Sequence, residues 1–296
     1  MKAPLAATSL WLLAVNLHAA EPVKIFISAD MEGLTGVVTG DQLGPTGFEY
    51  AAFREVMTAE VNAAIEAARE GGATELLVAD SHGNMENLLL DKLPQDVQVV
   101  RSNPRPLGMM EGLDGTFAGV IFIGYHASTT NPRGVRAHTL SSATLADVRL
   151  GGVSMPEAGI NAAIAGHFGV PVLAVSGDDA AVEETRALLG DVEGAVVKWA
   201  TGFHSARTLT PAAGREVIKA AVKRAMARRA ERKPYRVPMP AELEVRFKNY
   251  RPAEILALLP GVSRADAHSV RLTVKDAPEA ARFLTFVTNY QATLEP

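Results

Sequence analysis

The sequence predicts an α/β protein with a largely parallel sheet flanked by helices, and with a smaller C-terminal α+β lobe. Short apolar runs alternate with stretches of helical periodicity from Glu21 to about residue 200. This alternation is typical of parallel strands that helices cover on both faces. After residue 200 the pattern changes to a long helix, two strands and a last helix. With 296 residues, 48% of them apolar, the chain is long enough to bury a core of this kind.

Residues 1–20 are predicted to be a signal peptide. Lys2 precedes an apolar stretch from Leu5 to Leu17, and the small residues Ala19 and Ala20 follow it. This is the layout of a secretory signal. The apolar stretch is shorter than the roughly 20 residues of a membrane span. We therefore expect an exported protein with no stable membrane insertion once the signal is removed.

Residues 21–200 are predicted to form an α/β domain. Its strands are apolar runs of the kind that parallel sheets bury on both faces, and its helices show apolar residues at helical spacing. The predicted strands are Val23–Ala29, Glu75–Ala79, Val97–Arg101, Ala118–Gly124 and Val172–Ser176. The predicted helices are Tyr50–Arg69, Glu157–His167 and Ala180–Leu189.

Residues 201–296 are predicted to form a helix and a small α+β lobe that packs on the same domain or belongs to it. The predicted elements are a helix at Pro211–Arg232, a linker at Lys233–Pro240, strands at Leu243–Lys248 and Ser269–Val274, and a helix at Ala277–Tyr290. The long helix carries many basic residues, which we interpret as a solvated face. A formal net charge of −4 argues against a nucleic-acid partner.

Several classes of site are excluded by what the sequence lacks. It contains no cysteine, so disulfides, thiolate zinc sites, iron–sulfur clusters and cysteine nucleophiles are ruled out. The phosphate-binding and nucleophile motifs GxxxxGK[ST], GxGxxG and GxSxG are also absent. Any metal must therefore be held by histidine and carboxylate side chains.

Acids and histidines follow three of the predicted strands. Asp30 and Glu32 come after the first, His82 after the second, and His126 after the strand at Ala118–Gly124. Carboxyl ends of parallel strands share one edge of the sheet, so these side chains are expected to converge. Two neighbouring carboxylates repel each other unless a cation lies between them. Taken singly, a turn-capping aspartate or a hydrogen-bonded loop histidine remains an alternative.

Two further residues allow more than one interpretation. Glu157 fits a capping box with Ser154 at the start of a helix, so from the pattern alone it is a cap more often than a ligand. His138, in a polar loop, could carry a proton, bind substrate or simply be exposed. With Glu157 the set has five oxygen and nitrogen ligands, enough for two zinc or manganese ions with Asp30 as the bridge. Residues 21–200 are therefore predicted to be the metal-binding catalytic domain.

The mature chain resembles the zinc-dependent D-aminopeptidases of the dipeptide-transport type, over about Lys24 to Ala281. Several sequence blocks in the right order carry this resemblance. They are Ser28-Ala29-Asp30-Met31-Glu32-Gly33, Asp80-Ser81-His82, Glu111-Gly112-Leu113-Asp114, Gly124-Tyr125-His126-Ala127, Gly159-Ile160-Asn161-Ala162 and Gly177-Asp178-Asp179. The resemblance implies a metallo-aminopeptidase that releases N-terminal D-residues such as D-Ala from short peptides through a metal-activated water.

The resemblance also implies site residues and an assembly. It implies two zinc ions per chain, at the positions Asp30, Glu32, His82, His126 and Glu157, with His138 as an active-site residue. Family members form a ring-stacked decamer, so a homo-oligomer is implied. The best-known member is intracellular, whereas this chain begins with an apparent export signal, so we expect a periplasmic enzyme. The alternative from another class is an exported solute-binding protein without a catalytic metal.

Overall fold

The structure, a computed structural model, describes residues 22–290, so the predicted signal peptide at residues 1–20 lies outside the described residues. The described chain contains a seven-stranded and a five-stranded sheet. The first consists of β1 (Lys24–Ala29), β2 (Glu75–Asp80), β3 (Gln98–Val100), β4 (Phe117–Tyr125), β7 (Val172–Asp178), β8 (Glu193–Gly202) and β9 (Ser205–Thr208). The second consists of β5 (Leu145–Leu150), β6 (Val153–Ser154), β10 (Ala241–Phe247), β11 (Ser263–Arg264) and β12 (Ser269–Val274).

Helices cover both faces of the larger sheet. They are α1 (Tyr50–Glu70) and α4 (Pro211–Ala227) on one face and α2 (Glu157–His167) and α3 (Asp179–Leu189) on the other. Two further helices, α5 (Tyr250–Leu256) and α6 (Ala277–Asn289), pack against the smaller sheet. Side chains alternate across β1, so Ile25 and Ile27 pack with α1 and α4 while Phe26 packs in the core on the other face. Within residues 22–290, no helix is both long and apolar enough to cross a membrane. The predicted α/β class is therefore confirmed.

The strand order identifies where a ligand can bind. The larger sheet runs β3-β2-β1-β4-β7-β8-β9, with only β9 antiparallel to its neighbour. The chain moves outward from β1 to β2 and β3, then returns to add β4 on the other side of β1. This reversal between β1 and β4 opens a crevice at the carboxyl ends of the strands, where open α/β sheets bind their ligands.

The smaller, antiparallel sheet differs from the sequence prediction in its strands. Its order is β11-β12-β10-β5-β6, so it combines strands from after residue 200 with two from before it. Sequence reasoning missed β5, whose segment LADVRL interrupts its apolar residues with Asp147 and Arg149. The helix predicted at Pro211–Arg232 ends at Ala227, because the chain tightens there into a 3₁₀ turn, and it packs on α1 rather than within the smaller sheet.

Candidate metal centre

The structure brings all six predicted site residues together at the crevice between β1 and β4. Asp30 and Glu32 follow β1, His82 follows β2, and His126 follows β4. The first residue of α2 is Glu157, and His138 lies in the loop between β4 and β5. All of these side chains are buried except that of His138, of which 14% is exposed. Residues separated by up to 127 positions thus meet in one cluster.

Glycines let the ends of β1 and β4 approach closely. The backbone N–H of Gly33 donates to the carbonyl of Gly124 at 2.7 Å. A Cβ atom at Gly33 would lie only 2.0 Å from the carbonyl oxygen of Tyr125, so no larger residue fits. Gly124 itself has φ of +71°, a conformation that favours glycine. This contact holds the carboxylates after β1 against the histidine after β4.

Asp30 is the centre of the cluster. One of its oxygens, Oδ1, lies 3.1 Å from Nδ1 of His82, and the other, Oδ2, lies 3.4 Å from Nε2 of His126. Glu32 approaches His82 at 2.8 Å, and Glu157 approaches His126 at 3.4 Å. The ligand atoms therefore form two groups that share Asp30. The groups are Asp30, Glu32 and His82, and Asp30, His126 and Glu157.

Backbone carbonyls orient both histidines toward these carboxylates. Nε2 of His82 lies 2.7 Å from the carbonyl oxygen of Leu43, and Nδ1 of His126 lies 3.0 Å from that of Ala127. A ring nitrogen facing a carbonyl must carry the proton, which leaves the opposite nitrogen of each neutral ring free to bind a metal. Nε2 of His126 is buried and has no hydrogen-bond partner among the described residues.

Burial and the neighbouring charges act against each other in this cluster. Burial and the charge of Glu32 raise the pKa of Asp30. Burial alone would also raise the pKa of Glu32, but the charge of His82 outweighs it and holds that pKa well below its usual range. Burial would lower the pKa of His82, and the charge of Glu32 instead holds it well above the usual value. Three buried carboxylates thus require positive charge beside them.

The donor set fits zinc. It combines imidazole nitrogen and carboxylate oxygen without sulfur, which is typical of catalytic zinc sites. A cation between the two groups would neutralise the carboxylates and would give the free Nε2 of His126 a partner. A third group of ligand atoms comes from Glu32, His126 and His138.

The capping box predicted for Glu157 is wrong. Pro156 is the N-cap of α2, and no side chain within residues 22–290 makes a capping hydrogen bond there. Ser154 lies in β6 and donates to Asp147 at 2.5 Å. Oε1 of Glu157 instead accepts from the backbone N–H of Leu140 at 2.7 Å, which leaves Oε2 facing His126.

Sequence reasoning missed Lys198, which supports the loop carrying Glu32. Its ammonium group is buried and donates to the carbonyls of Glu32, Leu34 at 3.1 Å and Val37 at 2.6 Å. Burial lowers the pKa of Lys198 to about 8, partly offset by the charge of Asp178. A lysine inside the apolar run AVVKWA was the available signal, because a buried charge needs partners.

The cluster opens onto a cavity of about 400 Å³. Asp30, Glu32, His82, His138 and Glu157 form part of its wall, and α2 and α6 form another part. Small-molecule sites range from roughly 300 to 1,000 Å³. The cavity therefore suits a compact ligand such as a short peptide.

Known proteins are similar to this chain in sequence and in fold. A family model described as D-aminopeptidase matches residues 23–286. A D-aminopeptidase of Bacillus subtilis (strain 168) is 34% identical over 270 residues, which are 90% of this chain and 97% of that protein. A solved structure of a zinc-dependent D-aminopeptidase from Bacillus subtilis, described as a self-compartmentalizing protease, matches with a TM-score of 0.87 and 32% identity. That match covers 92% of this chain and 100% of the other.

Proposed function

We propose that this chain, which belongs to the D-aminopeptidase family, binds two zinc ions and removes the N-terminal D-residue, such as D-Ala, from short peptides outside the cytoplasm. Family membership makes the chain a zinc-dependent D-aminopeptidase, and the prediction of an enzyme is confirmed. Our proposal adds to family membership the number of zinc ions, the peptide substrate and the location. The alternative, an exported solute-binding protein without a catalytic metal, is not favoured by these matches to D-aminopeptidases.

The position of Asp30 between two ligand groups carries the proposal of two ions. Its two oxygens face different histidines, His82 and His126. One group is completed by Glu32 and the other by Glu157. A carboxylate that faces two ligand groups is suited to bridge two ions about 3.5–4 Å apart, the spacing found in aminopeptidases. We infer that Asp30 is this bridge.

The site residues have separate tasks in peptide hydrolysis. When bound, zinc lowers the pKa of water and polarises a peptide carbonyl. Asp30, Glu32 and Glu157 hold the charge that keeps the ions in the site. The carbonyls of Leu43 and Ala127 fix the ring orientation of the two histidine ligands. Burial of the cluster excludes bulk water and strengthens each of these interactions.

His138 is the residue we assign to proton transfer. Nδ1 of its ring lies 2.9 Å from the carbonyl oxygen of Arg136, so Nδ1 carries the proton and Nε2 has a free lone pair. Nε2 lies 3.7 Å from Oε1 of Glu157, and the residue lines the cavity. From there Nε2 can take a proton and give it to the amine that leaves when the peptide bond breaks.

The location and assembly rest on other features. The sequence of residues 1–20 supports export to the periplasm, where peptides with D-residues from the cell wall would be available substrates. A solved relative described as a self-compartmentalizing protease supports a homo-oligomer, for which we propose the family's decamer.

Sequencing the N-terminus of protein from the periplasmic fraction tests export. A chain that keeps its first twenty residues in the cytoplasm would contradict it.

The activity is tested by metal content and by hydrolysis of stereoisomeric dipeptides. We expect about two zinc ions per chain by elemental mass spectrometry, and hydrolysis of D-Ala-D-Ala but not of L-Ala-L-Ala. Glu32→Gln should lose both zinc and activity, whereas Glu86→Gln, at an exposed loop position, should lose neither. One zinc ion per full-length active chain would refute the two-ion site. Equal turnover of both dipeptides would refute the proposed substrate.

A further inference from the structure

One fixed positive charge lines the cavity beside the metal centre. Among the described residues that form its wall, Arg105 is the only lysine or arginine. Its side chain is buried, with 6% of the residue exposed. Nothing in the proposed metal chemistry uses this residue. A buried arginine is costly unless its charge meets a partner, so its position calls for an explanation.

The guanidinium group of Arg105 is only partly bonded. Nη2 donates to the carbonyl of Asp80, and Nε donates at 3.1 Å to the sulfur of Met85, which is a weak acceptor. Nη1 is buried and has no hydrogen-bond partner among the described residues. No described carboxylate forms a salt bridge with Arg105. Both N–H groups of Nη1 thus remain without an acceptor in the described part of the chain, and the charges of Asp80 and Glu111 act on the guanidinium group without forming a salt bridge.

The backbone holds Arg105 firmly against the cavity wall. Its carbonyl accepts from the hydroxyl of Thr285 in α6 at 3.0 Å and from the backbone N–H of Gly108 at 3.0 Å. Thr285 and Gly108 also line the cavity. The arginine is therefore fixed in position before any ligand arrives, which lowers the entropy cost of binding.

We propose that Arg105 binds the C-terminal carboxylate of a dipeptide substrate. This inference rests on the proposed function, because it assumes that peptides are hydrolysed at the neighbouring cluster. Arginine is well suited to carboxylates, since its planar group can offer parallel N–H donors. A substrate carboxylate in the cavity would meet the one positive charge that the described wall residues supply.

The side chain of Arg105 is bonded close in sequence to a candidate metal ligand. Nη2 of Arg105 binds the carbonyl of Asp80, and the metal-binding candidate His82 follows two residues later. Two residues span at most about 7 Å even when fully extended. In a dipeptide the carboxylate lies one residue beyond the cleaved bond, whereas each further residue adds roughly 3.5 Å. Arg105 is thus held near the end of β2 that precedes His82, and we assign a dipeptide as the substrate whose carboxylate it meets.

The test compares D-Ala-D-Ala with its C-terminal amide, which keeps the shape but loses the negative charge. In the zinc-loaded enzyme we expect kcat/KM for the acid to exceed that for the amide by roughly 10- to 100-fold, the range of a charge-assisted hydrogen bond. Arg105→Gln should abolish this preference, lowering kcat/KM for the acid and leaving the amide within about threefold. Arg105→Lys should retain part of the preference for the acid, because lysine keeps the positive charge but lacks the planar group with parallel N–H donors.

Arg101→Gln is the matched control, because Arg101 is an exposed arginine on the same segment, and it should leave both substrates unchanged. An acid-to-amide ratio near one in the wild type would overturn the inference, even if Arg105→Gln failed to fold. An equal loss on both substrates in a folded Arg105→Gln would also overturn it, since that result indicates a purely structural role.

A binding measurement separates this inference from the proposed function. Calorimetry uses zinc-loaded His138→Gln, in which turnover should be slowed by roughly 10²- to 10⁴-fold. It is expected to give tighter binding of the acid than of the amide, and adding Arg105→Gln should remove the difference. Acid-dependent binding without hydrolysis in the wild type would support the carboxylate site and refute the activity. Hydrolysis of both peptides together with equal binding of both would support the activity and refute the carboxylate site.

Discussion

The imidazole rings of His126 and His138 stack nearly parallel, with centroids 4.1 Å apart and planes within 10° of each other. His126 is fully enclosed between Asp30 and Glu157, whereas His138 reaches the cavity. The two rings therefore occupy different layers of the site. The inner ring is suited to hold a metal ion, and the outer ring is suited to handle a proton.

Substitution should separate these two roles. We expect His138→Gln to keep its zinc and to lose kcat by roughly 10²- to 10⁴-fold, the usual contribution of a positioned acid or base. His126→Gln should instead lose zinc together with activity. Elemental analysis and steady-state kinetics on the same preparations measure both effects. His167→Gln, at the exposed end of α2, is the control and should change neither. Loss of zinc in His138→Gln would contradict this division.

The glycine contact between β1 and β4 should be essential to the metal centre. In Gly33→Ala the new methyl group would overlap the carbonyl of Tyr125, so the end of β1 must move away from β4. We expect Gly33→Ala to lose most of its zinc, because Asp30 and His126 then separate. Gly40→Ala adds the same methyl group where no atom of the described residues lies within 4 Å, and it should bind zinc normally. Equal zinc content in the two variants would refute the argument.

Lys198 should strengthen zinc binding, because its ammonium group bonds the carbonyls of the loop that carries Glu32. Lys198→Met leaves the carbonyls of Glu32, Leu34 and Val37 without their donor. We expect the free energy of unfolding to fall by about 2–4 kcal/mol and the zinc affinity to fall roughly 10- to 100-fold. Chemical denaturation and competition with a chelator measure the two quantities. Lys223→Met removes an exposed lysine and should affect neither. Unchanged zinc affinity in Lys198→Met would mean that Glu32 does not depend on this loop.

Much of the candidate site could be predicted from the sequence because it lies at strand ends. Asp30, Glu32, His82 and His126 each follow a buried apolar run by a few residues, and parallel strands bring their carboxyl ends to one edge. Glu157 was ambiguous, because a carboxylate in the first turn of a helix fits a cap as well as a ligand. Only the resemblance to known D-aminopeptidases pointed to it as a ligand.

The parts that could not be predicted depend on long-range packing. The roles of Lys198 and Arg105 arise from carbonyls that lie at least 161 and 25 positions away, which no local pattern specifies. The smaller sheet joins β5 to β10 across about 90 residues, and β5 does not alternate strictly between apolar and polar residues, although β10 does. Periodicity identifies elements, but it does not say which sheet a strand joins.

Glu60, buried in α1, should make stability depend on pH. One of its oxygens accepts from the backbone N–H of Thr35 at 3.0 Å, and the other has no partner among the described residues. Burial raises the pKa of Glu60 from 4.5 to about 7. Between these values the folded chain holds a proton that the unfolded chain releases. The contribution of Glu60 to stability therefore falls as pH rises through this window.

Glu60→Gln should remove this pH dependence. The amide oxygen can still accept from Thr35, and no charge is buried at any pH. We expect the variant to gain stability relative to the wild type between pH 5 and pH 8, by on the order of 2–3 kcal/mol. Denaturant unfolding of the zinc-free proteins at both pH values measures the difference. Glu55→Gln, at an exposed position of the same helix, should show no such gain. If the free energies of unfolding of Glu60→Gln and the wild type changed in parallel with pH, Glu60 would not be protonated in the folded protein at pH 5 to 7.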